Sequence, residues 1–301
     1  MARKDVWISV VAAMATQCVC AGGFDAPLPD AERGKLEGYA SRRLAKADES
    51  YVKNDYRMSS AEYEVFAREF PKSPAIPYAM FQKARSTQLD GNTDKAIREY
   101  DEMLGYFPSL TPYAELALYF IAECHLQNRD LPNAMKTWSE MASDPDYRRH
   151  SITAVAINRL APNLMQQRKT EEALRLYRQC AVDFRSGNPQ QALQAINAAV
   201  EHYIITAPNE PELRKFYRDV DSFDRAPRPQ APDADVTQDR LYWQGIWERV
   251  WAKAKTYPVP QIALKRKLLT YWAKAFEGRF PDWKEYQDQR AAFIREAAVT
   301  P

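Results

Sequence analysis

Apolar positions along this chain return in a fixed order, with short polar stretches between them. An aromatic residue recurs at intervals of 37, 38, 39 and 39 residues, at Tyr63, Tyr100, Trp138, Tyr177 and Phe216. Two alanines stand at constant distances before three of these aromatics, at Ala84 and Ala96, Ala122 and Ala134, and Ala161 and Ala173. A constant period over five units indicates a repeat architecture in which each unit is one supersecondary element.

Each unit is predicted to be a pair of helices joined by a polar turn. The turns read LDGNTD, QNRDLPN and QQRKTE. Their Asp, Asn and Thr residues suit the start of a second helix, and Gly91 suits the end of a first one. Small alanines fit where two helix axes cross closely. Phe-Pro at 70–71 and 107–108 ends the second helix, because proline disfavours helical conformation in the residue before it.

This combination of residues resembles the tetratricopeptide repeat family. The stretch 77–110 carries it best, with Ala84, Gly91, Ala96, Tyr100 and Pro108 in the family's positions. Phe-Pro-x-Ser-Pro followed by an alanine-rich helix is similar to the family's periplasmic branch, which includes the outer-membrane assembly lipoproteins and a cell-division coordinator. The resemblance implies an all-α fold, a right-handed superhelical α-solenoid of about five helical hairpins over residues 24–223. Two units depart from the family, since arginine replaces the turn glycine at 129 and 168.

The N-terminus, residues 1–23, has the layout of a secretory signal peptide. It has a short basic start, an apolar run over 6–16 and small residues at 20–23. The run is too short to span a bilayer, so the pattern predicts a periplasmic or secreted protein with no transmembrane segment after cleavage. Gln17 and Val19 stand before Cys18 and Cys20, where a lipoprotein signal needs a small residue. That disfavours an outer-membrane lipoprotein. The alternative is an ordinary buried N-terminal helix.

The C-terminal part has a different organisation. Residues 224–236 form a proline-rich stretch that predicts an exposed connector. Residues 237–301 are predicted to form a helical hairpin and a capping helix, with Trp243, Trp247 and Trp251 along one helix stripe. A capping role follows from the need to seal the apolar end of a solenoid. An alternative function for these tryptophans is an aromatic platform for a glycan such as peptidoglycan.

Composition and motifs favour a binding protein over an enzyme. Lys and Arg number 42 against 40 Asp and Glu, so the net charge of +2 gives no basic footprint for nucleic acid. The chain carries no phosphate loop, no GxSxG elbow and no HExxH. We therefore expect no catalytic residue, no metal and no cofactor; an enzyme of unrecognised type is a lesser alternative. Cys124 and Cys180, which remain after cleavage, are expected to be buried thiols, with a disulfide between them as the alternative.

With no motif for catalysis and no basic footprint for nucleic acid, the sequence favours recognition of another protein as the function. The resemblance implies that the first helices of the units line an inner, concave face that binds a protein or peptide. The positions carried over from the family are Tyr78, Phe81, Arg85, Gln88, Leu116, Tyr119, Glu123, Gln127, Asn158 and Gln166. Aromatic, amide and mixed-charge side chains of this kind suit an extended or helical peptide. The expected function is a non-catalytic scaffold for protein–protein interaction in the bacterial cell envelope.

Overall fold

The computed structural model describes residues 25–110, 112–184 and 187–206, with single helical positions at 288, 291 and 295. In these ranges the chain is helical and has no strand, which confirms the predicted all-α class. The helices are α1 (Asp30–Arg33), α2 (Gly38–Val52), α3 (Tyr56–Glu69), α4 (Ile76–Leu89), α5 (Thr93–Tyr106), α6 (Tyr113–Gln127), α7 (Leu131–Ser143), α8 (Ser151–Gln166), α9 (Thr170–Asp183) and α10 (Pro189–Thr206). The predicted signal peptide, connector and tryptophan stripe lie outside the described residues.

The chain divides into two compact units, residues 1–137 and 138–301. In the first unit, α2 packs on α3, α3 on α4, α4 on α5 and α5 on α6, and α4 also contacts α6. In the second unit, α8 packs on α9, α9 packs on α10, and α8 also contacts α10. Consecutive helices are therefore neighbours within each unit, and the contacts α4–α6 and α8–α10 each join the first helix of one pair to the first helix of the next.

Four turns inside the helix pairs share one backbone geometry. Each contains one residue with positive φ, at Asn54 (62°), Gly91 (89°), Arg129 (61°) and Arg168 (63°). In every turn the next amide donates to the carbonyl five residues before it, at N–O distances of 2.7–3.1 Å. This is the Schellman ending of a helix. The predicted turns are confirmed. Arg129 and Arg168 adopt the same left-handed conformation as Gly91.

The second helix of three pairs begins with a side-chain cap. Asp55, Asn92 and Asp130 each accept a hydrogen bond from the amide three residues later, at 3.2–3.3 Å. Such caps satisfy one of the amide groups that the first helical turn leaves unpaired. Lys169 stands at the fourth of these positions and makes no side-chain cap. The capping role predicted for Asp and Asn is confirmed at Asn92 and Asp130, and Asp55 caps another pair in the same way. The role predicted for Thr in the turn QQRKTE is wrong, because Lys169 is the N-terminal cap there and Thr170 is already helical.

The repeated small and aromatic positions form the seams between helices. All six repeat alanines have no exposed surface, and the aromatics Tyr63, Tyr100, Trp138 and Tyr177 are buried. Ser59 takes the place of an alanine in the pair α2–α3. Its hydroxyl lies 3.3 Å from the Ala47 carbonyl and 3.0 Å from the Ser86 hydroxyl, so the extra oxygen is hydrogen-bonded. The packing predicted from the period is confirmed.

Phe70 and Phe107 terminate the second helices of two pairs. Helix α3 ends at Glu69 and α5 ends at Tyr106, and in each case the phenylalanine is the C-terminal cap before a proline. The cap residues have φ of −127° and −136°, outside the helical region. These two predicted Phe-Pro stops are confirmed.

Replacing Gly91 by alanine is expected to destabilise the protein by about 1 kcal/mol. A Cβ atom there would meet open space, so the backbone conformation alone opposes the substitution. Gly105 also faces open space but lies within α5, so Gly105→Ala should stabilise by about 0.5–1 kcal/mol. Urea unfolding of the two variants checks this. Changes of the same sign would contradict the assignment of the turn.

Candidate functional site

The inner-face residues predicted on α4 lie in the core. Tyr78 and Phe81 have no exposed surface, and Arg85 and Gln88 are also buried. The Tyr78 hydroxyl donates to a carboxylate oxygen of Asp48 at 2.7 Å. The Phe81 ring packs against neighbouring rings on α5 and α6 at centroid distances of 5.7–6.1 Å. This corrects the expectation that both rings line an open groove, because other parts of the chain cover them.

The predicted residues on α6 range from buried to exposed. Tyr119 is buried, Leu116 and Glu123 are half-buried, and Gln127 is exposed at the end of the helix. Of the predicted residues on this helix, Leu116, Glu123 and Gln127 therefore remain at least partly accessible.

The two predicted residues of the second unit differ from each other. Asn158 is buried on α8, and its Nδ2 donates to the main-chain and side-chain oxygens of Gln191 at 2.9 and 2.8 Å. Asn158 thus joins α8 to α10. Gln166 is exposed at the last position of α8.

A short stretch before α1 covers part of α4 and α6. We call residues 25–28 the N-terminal segment. Its side chains alternate in burial: Ala26 and Leu28 are 1% and 4% exposed, Pro27 is exposed, and Asp25 is half-buried. Asp25 and Ala26 lie in a bend, and residues 27–29 that follow are not helical, so the segment lays alternate side chains on the helices without being part of one. Sequence analysis did not predict this contact.

Three side chains hold the N-terminal segment, and we call them the receiving face: Gln82 and Arg85 on α4 and Tyr113 on α6. Arg85 Nε lies 2.7 Å from a carboxylate oxygen of Asp25. Gln82 Nε2 donates to the Ala26 carbonyl at 3.3 Å, and the Tyr113 hydroxyl donates to the Pro27 carbonyl at 3.4 Å. Two of the three contacts therefore go to the main chain and one goes to a carboxylate.

Arg85 carries a buried charge at the centre of this arrangement. Its NH1 group donates to Gln88 Oε1 at 3.0 Å, and its guanidinium carbon lies 4.0 Å from the centre of the Phe120 ring. Desolvation acts to lower the pKa of Arg85, but interactions led by Tyr100 and Asp25 raise it above its usual value. The guanidinium therefore stays charged. A buried cation needs an anionic partner, and Asp25 supplies it.

The carboxylate of Asp48 connects the helices behind the receiving face. It accepts hydrogen bonds from the hydroxyls of Tyr63 and Tyr78, both at 2.7 Å, and from Arg33 at 3.2 and 3.3 Å. Burial is the main cause that raises the pKa of both tyrosines well above the usual range. The network joins α1, α2, α3 and α4. It fixes α1, which directly follows the N-terminal segment, against the first helices.

Three further features of the described residues concern metals, thiols and membrane spans. No cluster of three or more metal-ligating side chains occurs there. Cys124 and Cys180 are both buried free thiols, as expected from the sequence. Burial raises the pKa of Cys124 to about 12 and also raises that of Cys180, so both stay protonated at neutral pH. Among the described helices, none combines the length and apolar character needed to cross a membrane.

No protein-family model matches this chain, and no curated protein matches it either. The residues of the receiving face therefore have to be interpreted from their own geometry.

Glu115, in the first turn of α6, is expected to make stability depend on pH. Burial raises the pKa of its carboxyl from 4.5 to about 7. The folded state thus holds a proton that the unfolded state releases, so the free energy of unfolding should fall as pH rises from about 4.5 to about 7. Glu115→Gln should remove this loss and gain about 1–2 kcal/mol at pH 8, since one pKa unit corresponds to about 1.4 kcal/mol.

The control for that experiment is Glu49, an exposed carboxylate paired with Lys53 at 2.6 Å. A hydrogen bond from Lys53 lowers the pKa of Glu49, so Glu49→Gln should give no gain at pH 8. Urea unfolding at pH 4.5 and pH 8 compares the variants with the native chain. An equal change at both pH values for Glu115→Gln would contradict the expected titration.

Proposed function

We propose that this protein is an exported, non-catalytic repeat scaffold that binds other proteins in the bacterial cell envelope through its first helices. The observation that carries the proposal is the receiving face, which holds a non-helical stretch of polypeptide by its main-chain carbonyls and its carboxylate. Gln82 and Tyr113 donate to its main-chain carbonyls, and Arg85 pairs with its carboxylate. A surface that binds main-chain groups of a non-helical chain suits recognition of peptides and protein segments.

The repeated helix pairs support a scaffold of the tetratricopeptide type. The four equivalent turns and the contacts of α4 with α6 and of α8 with α10 are what stacked helical hairpins require. In such arrays the first helices share one side, and that side serves as an extended binding surface. We propose a solenoid over residues 24–223 on this basis. Helices α4 and α6, which carry the receiving face, are both first helices.

The groups on the receiving face are suited to recognition. An amide, a guanidinium and a phenol donate hydrogen bonds, and the core holds all three in place. Arginine and tyrosine are enriched at protein interfaces because each combines apolar surface with directed hydrogen bonds. Export is proposed from the layout of residues 1–23, and it would place the scaffold in the periplasm or outside the cell.

Photo-crosslinking in the native cell envelope tests this function. A benzophenone amino acid is placed at Leu116, half-buried on α6, and in a matched variant at Tyr106, which is 68% exposed on the second helix α5. We expect the Leu116 position to give defined protein adducts that mass spectrometry identifies and that are absent from the Tyr106 variant. Adducts at Tyr106 alone, or none from either position, would contradict binding through the first helices.

The export part is tested on the same material. N-terminal sequencing of the purified protein should find a chain that begins near residues 22–24. An intact Met1 on the folded protein would contradict the periplasmic assignment and leave the binding result unaffected.

A further inference from the structure

The N-terminal segment fits the receiving face as a ligand fits a binding site. Its two buried side chains alternate with positions that are exposed or half-buried, so one side of the segment is covered by the helices. Its carboxylate meets a buried guanidinium at 2.7 Å, and two of its carbonyls accept side-chain hydrogen bonds. The segment precedes α1 in sequence and is distant in sequence from α4 and α6. It is therefore a tethered segment that binds to a part of the chain far from it in sequence.

We propose that the receiving face is a binding site for an extended peptide of a partner protein, and that residues 25–28 occupy it as an intramolecular substitute. The peptide would present a carboxylate to Arg85, followed by small or aliphatic side chains at alternate positions. This inference rests on the proposed function and names the class of partner.

The charge of Arg85 sets the first requirement of the ligand. Arg85 is buried and stays charged, and its anionic partner in the structure is Asp25. When the N-terminal segment leaves, the incoming peptide must supply another anion, because an unpaired buried cation is strongly unfavourable. An acidic residue in the peptide meets this requirement, and a basic residue at that position is excluded.

Gln82 shows that the N-terminal segment does not use the whole site. Gln82 has no exposed surface, its Nε2 donates to the Ala26 carbonyl, and its Oε1 atom is buried and accepts no hydrogen bond from the described residues. A buried acceptor without a donor is costly. A peptide whose main-chain amide reaches Oε1 would satisfy this atom, so a partner segment can bind better than the segment it displaces.

Because residues 25–28 belong to the same chain, their occupation of the receiving face would regulate binding of the partner peptide. A segment joined to the protein competes at a high effective concentration, so a free peptide binds with an affinity reduced by the fraction of sites left open. If the N-terminal segment occupies about nine sites in ten, its release strengthens apparent peptide binding about tenfold. The partner then binds strongly only when its own segment outcompetes residues 25–28.

The test uses the full chain and a labelled peptide with its own sequence FDAPLPDA, residues 24–31. Two variants release the segment: Asp25→Lys reverses the charge opposite Arg85, and Leu28→Ser removes a buried side chain. Asp30→Lys is the matched control, since Asp30 is an exposed acid of α1 outside the segment. Fluorescence anisotropy measures peptide binding, and circular dichroism establishes that each variant is folded.

We expect Asp25→Lys and Leu28→Ser to bind the labelled peptide at least about tenfold more tightly than the native chain and the Asp30→Lys control. Adding Arg85→Met to Asp25→Lys should abolish binding, and a peptide with lysine in place of its first aspartate should not bind. If Leu28→Ser fails to fold, Asp25→Lys decides the question, because Asp25 is only half-buried.

A folded Asp25→Lys variant that binds the peptide no better than the native chain would overturn the proposal and make residues 25–28 a packing element only. Light scattering tests exchange between copies: a native dimer that dissociates on Asp25→Lys would overturn the proposal of a separate partner. The peptide probe has this chain's own sequence, so its binding can be measured without knowing the partner. The result is therefore independent of the crosslinking experiment in the cell envelope. Crosslinks at Leu116 without peptide binding would leave the proposed function intact and reject only this site.

Discussion

Tyr100→Ala is expected to lower the free energy of unfolding by about 3–5 kcal/mol, as removal of a fully buried aromatic ring does. Tyr100 has no exposed surface and lies where three helices meet. Its ring stacks on Phe120 at a centroid distance of 6.1 Å and packs against Phe81 at 5.9 Å. Its hydroxyl donates to Gln88 Oε1 at 3.1 Å. The substitution would therefore leave a large cavity and remove one of the two hydrogen bonds that Gln88 Oε1 accepts, the other being from Arg85.

Two further variants act as controls. The first removes only the hydroxyl of Tyr100, and the second removes a different ring from the same helix. Tyr100→Phe keeps the ring and should cost about 1 kcal/mol for the lost hydrogen bond. Tyr106→Ala removes an exposed ring from the same helix and should change stability by less than about 0.5 kcal/mol. Urea unfolding followed by circular dichroism gives all three values. Similar stabilities for Tyr100→Ala and Tyr106→Ala would mean that the repeat packing described for α4, α5 and α6 is incorrect.

Asp48→Ala is expected to destabilise the first unit by about 2–4 kcal/mol. The carboxylate accepts from Tyr63, Tyr78 and Arg33, and removing it takes away the acceptor that two buried hydroxyls share, which lie 3.5 Å from each other. Each buried polar group that loses its partner costs about 1–3 kcal/mol. Arg33 adds less, because its side chain is 41% exposed and water can solvate the freed guanidinium.

A double-mutant cycle with Tyr63→Phe shows whether these groups act together. In the Tyr63→Phe background, Asp48→Ala should cost at least about 1 kcal/mol less than in the native chain, since one of the two hydroxyls is already gone. Asp90→Ala is the control, because Asp90 is an exposed aspartate at the end of α4, and it should change stability by less than about 0.5 kcal/mol. Strictly additive costs for Asp48→Ala and Tyr63→Phe would argue against the network.

The helix pairs were predictable because their signals are local. The period of the aromatic positions predicted where neighbouring helices pack together. The four described aromatics, Tyr63, Tyr100, Trp138 and Tyr177, are all buried. Gly91 marked the turn geometry, which depends only on a few consecutive residues. The same geometry at Arg129 and Arg168 could not be predicted from the residue type, because positive φ is unfavourable for arginine. The hydrogen bonds of the turn maintain it there.

The receiving face was not predicted because it depends on contacts distant in sequence. Asp25 and Arg85 are 60 residues apart, and Pro27 and Tyr113 are 86 apart. Positions carried over from a repeat family assume that the inner face is open, which is why Tyr78 and Phe81 were expected to be accessible.

One signal in the sequence of α6 could have corrected that assumption. The stretch YAELALYFIAEC is apolar around most of the helix, and a helix that is apolar around most of its circumference has most of it covered by other parts of the protein. A short stretch with apolar residues at alternate positions, such as residues 25–28, is the kind of segment that can cover it. The sequence does not identify which segment does so.

A crystal structure of the Asp25→Lys variant with the peptide FDAPLPDA tests the central claim most directly. We expect the peptide to lie extended across α4 and α6, with its first carboxylate on Arg85 and its carbonyls on Gln82 and Tyr113. A peptide bound elsewhere on the protein, or a receiving face still occupied by the variant's own residues 25–28 with no peptide bound, would contradict the claim that this face is a binding site for a separate peptide.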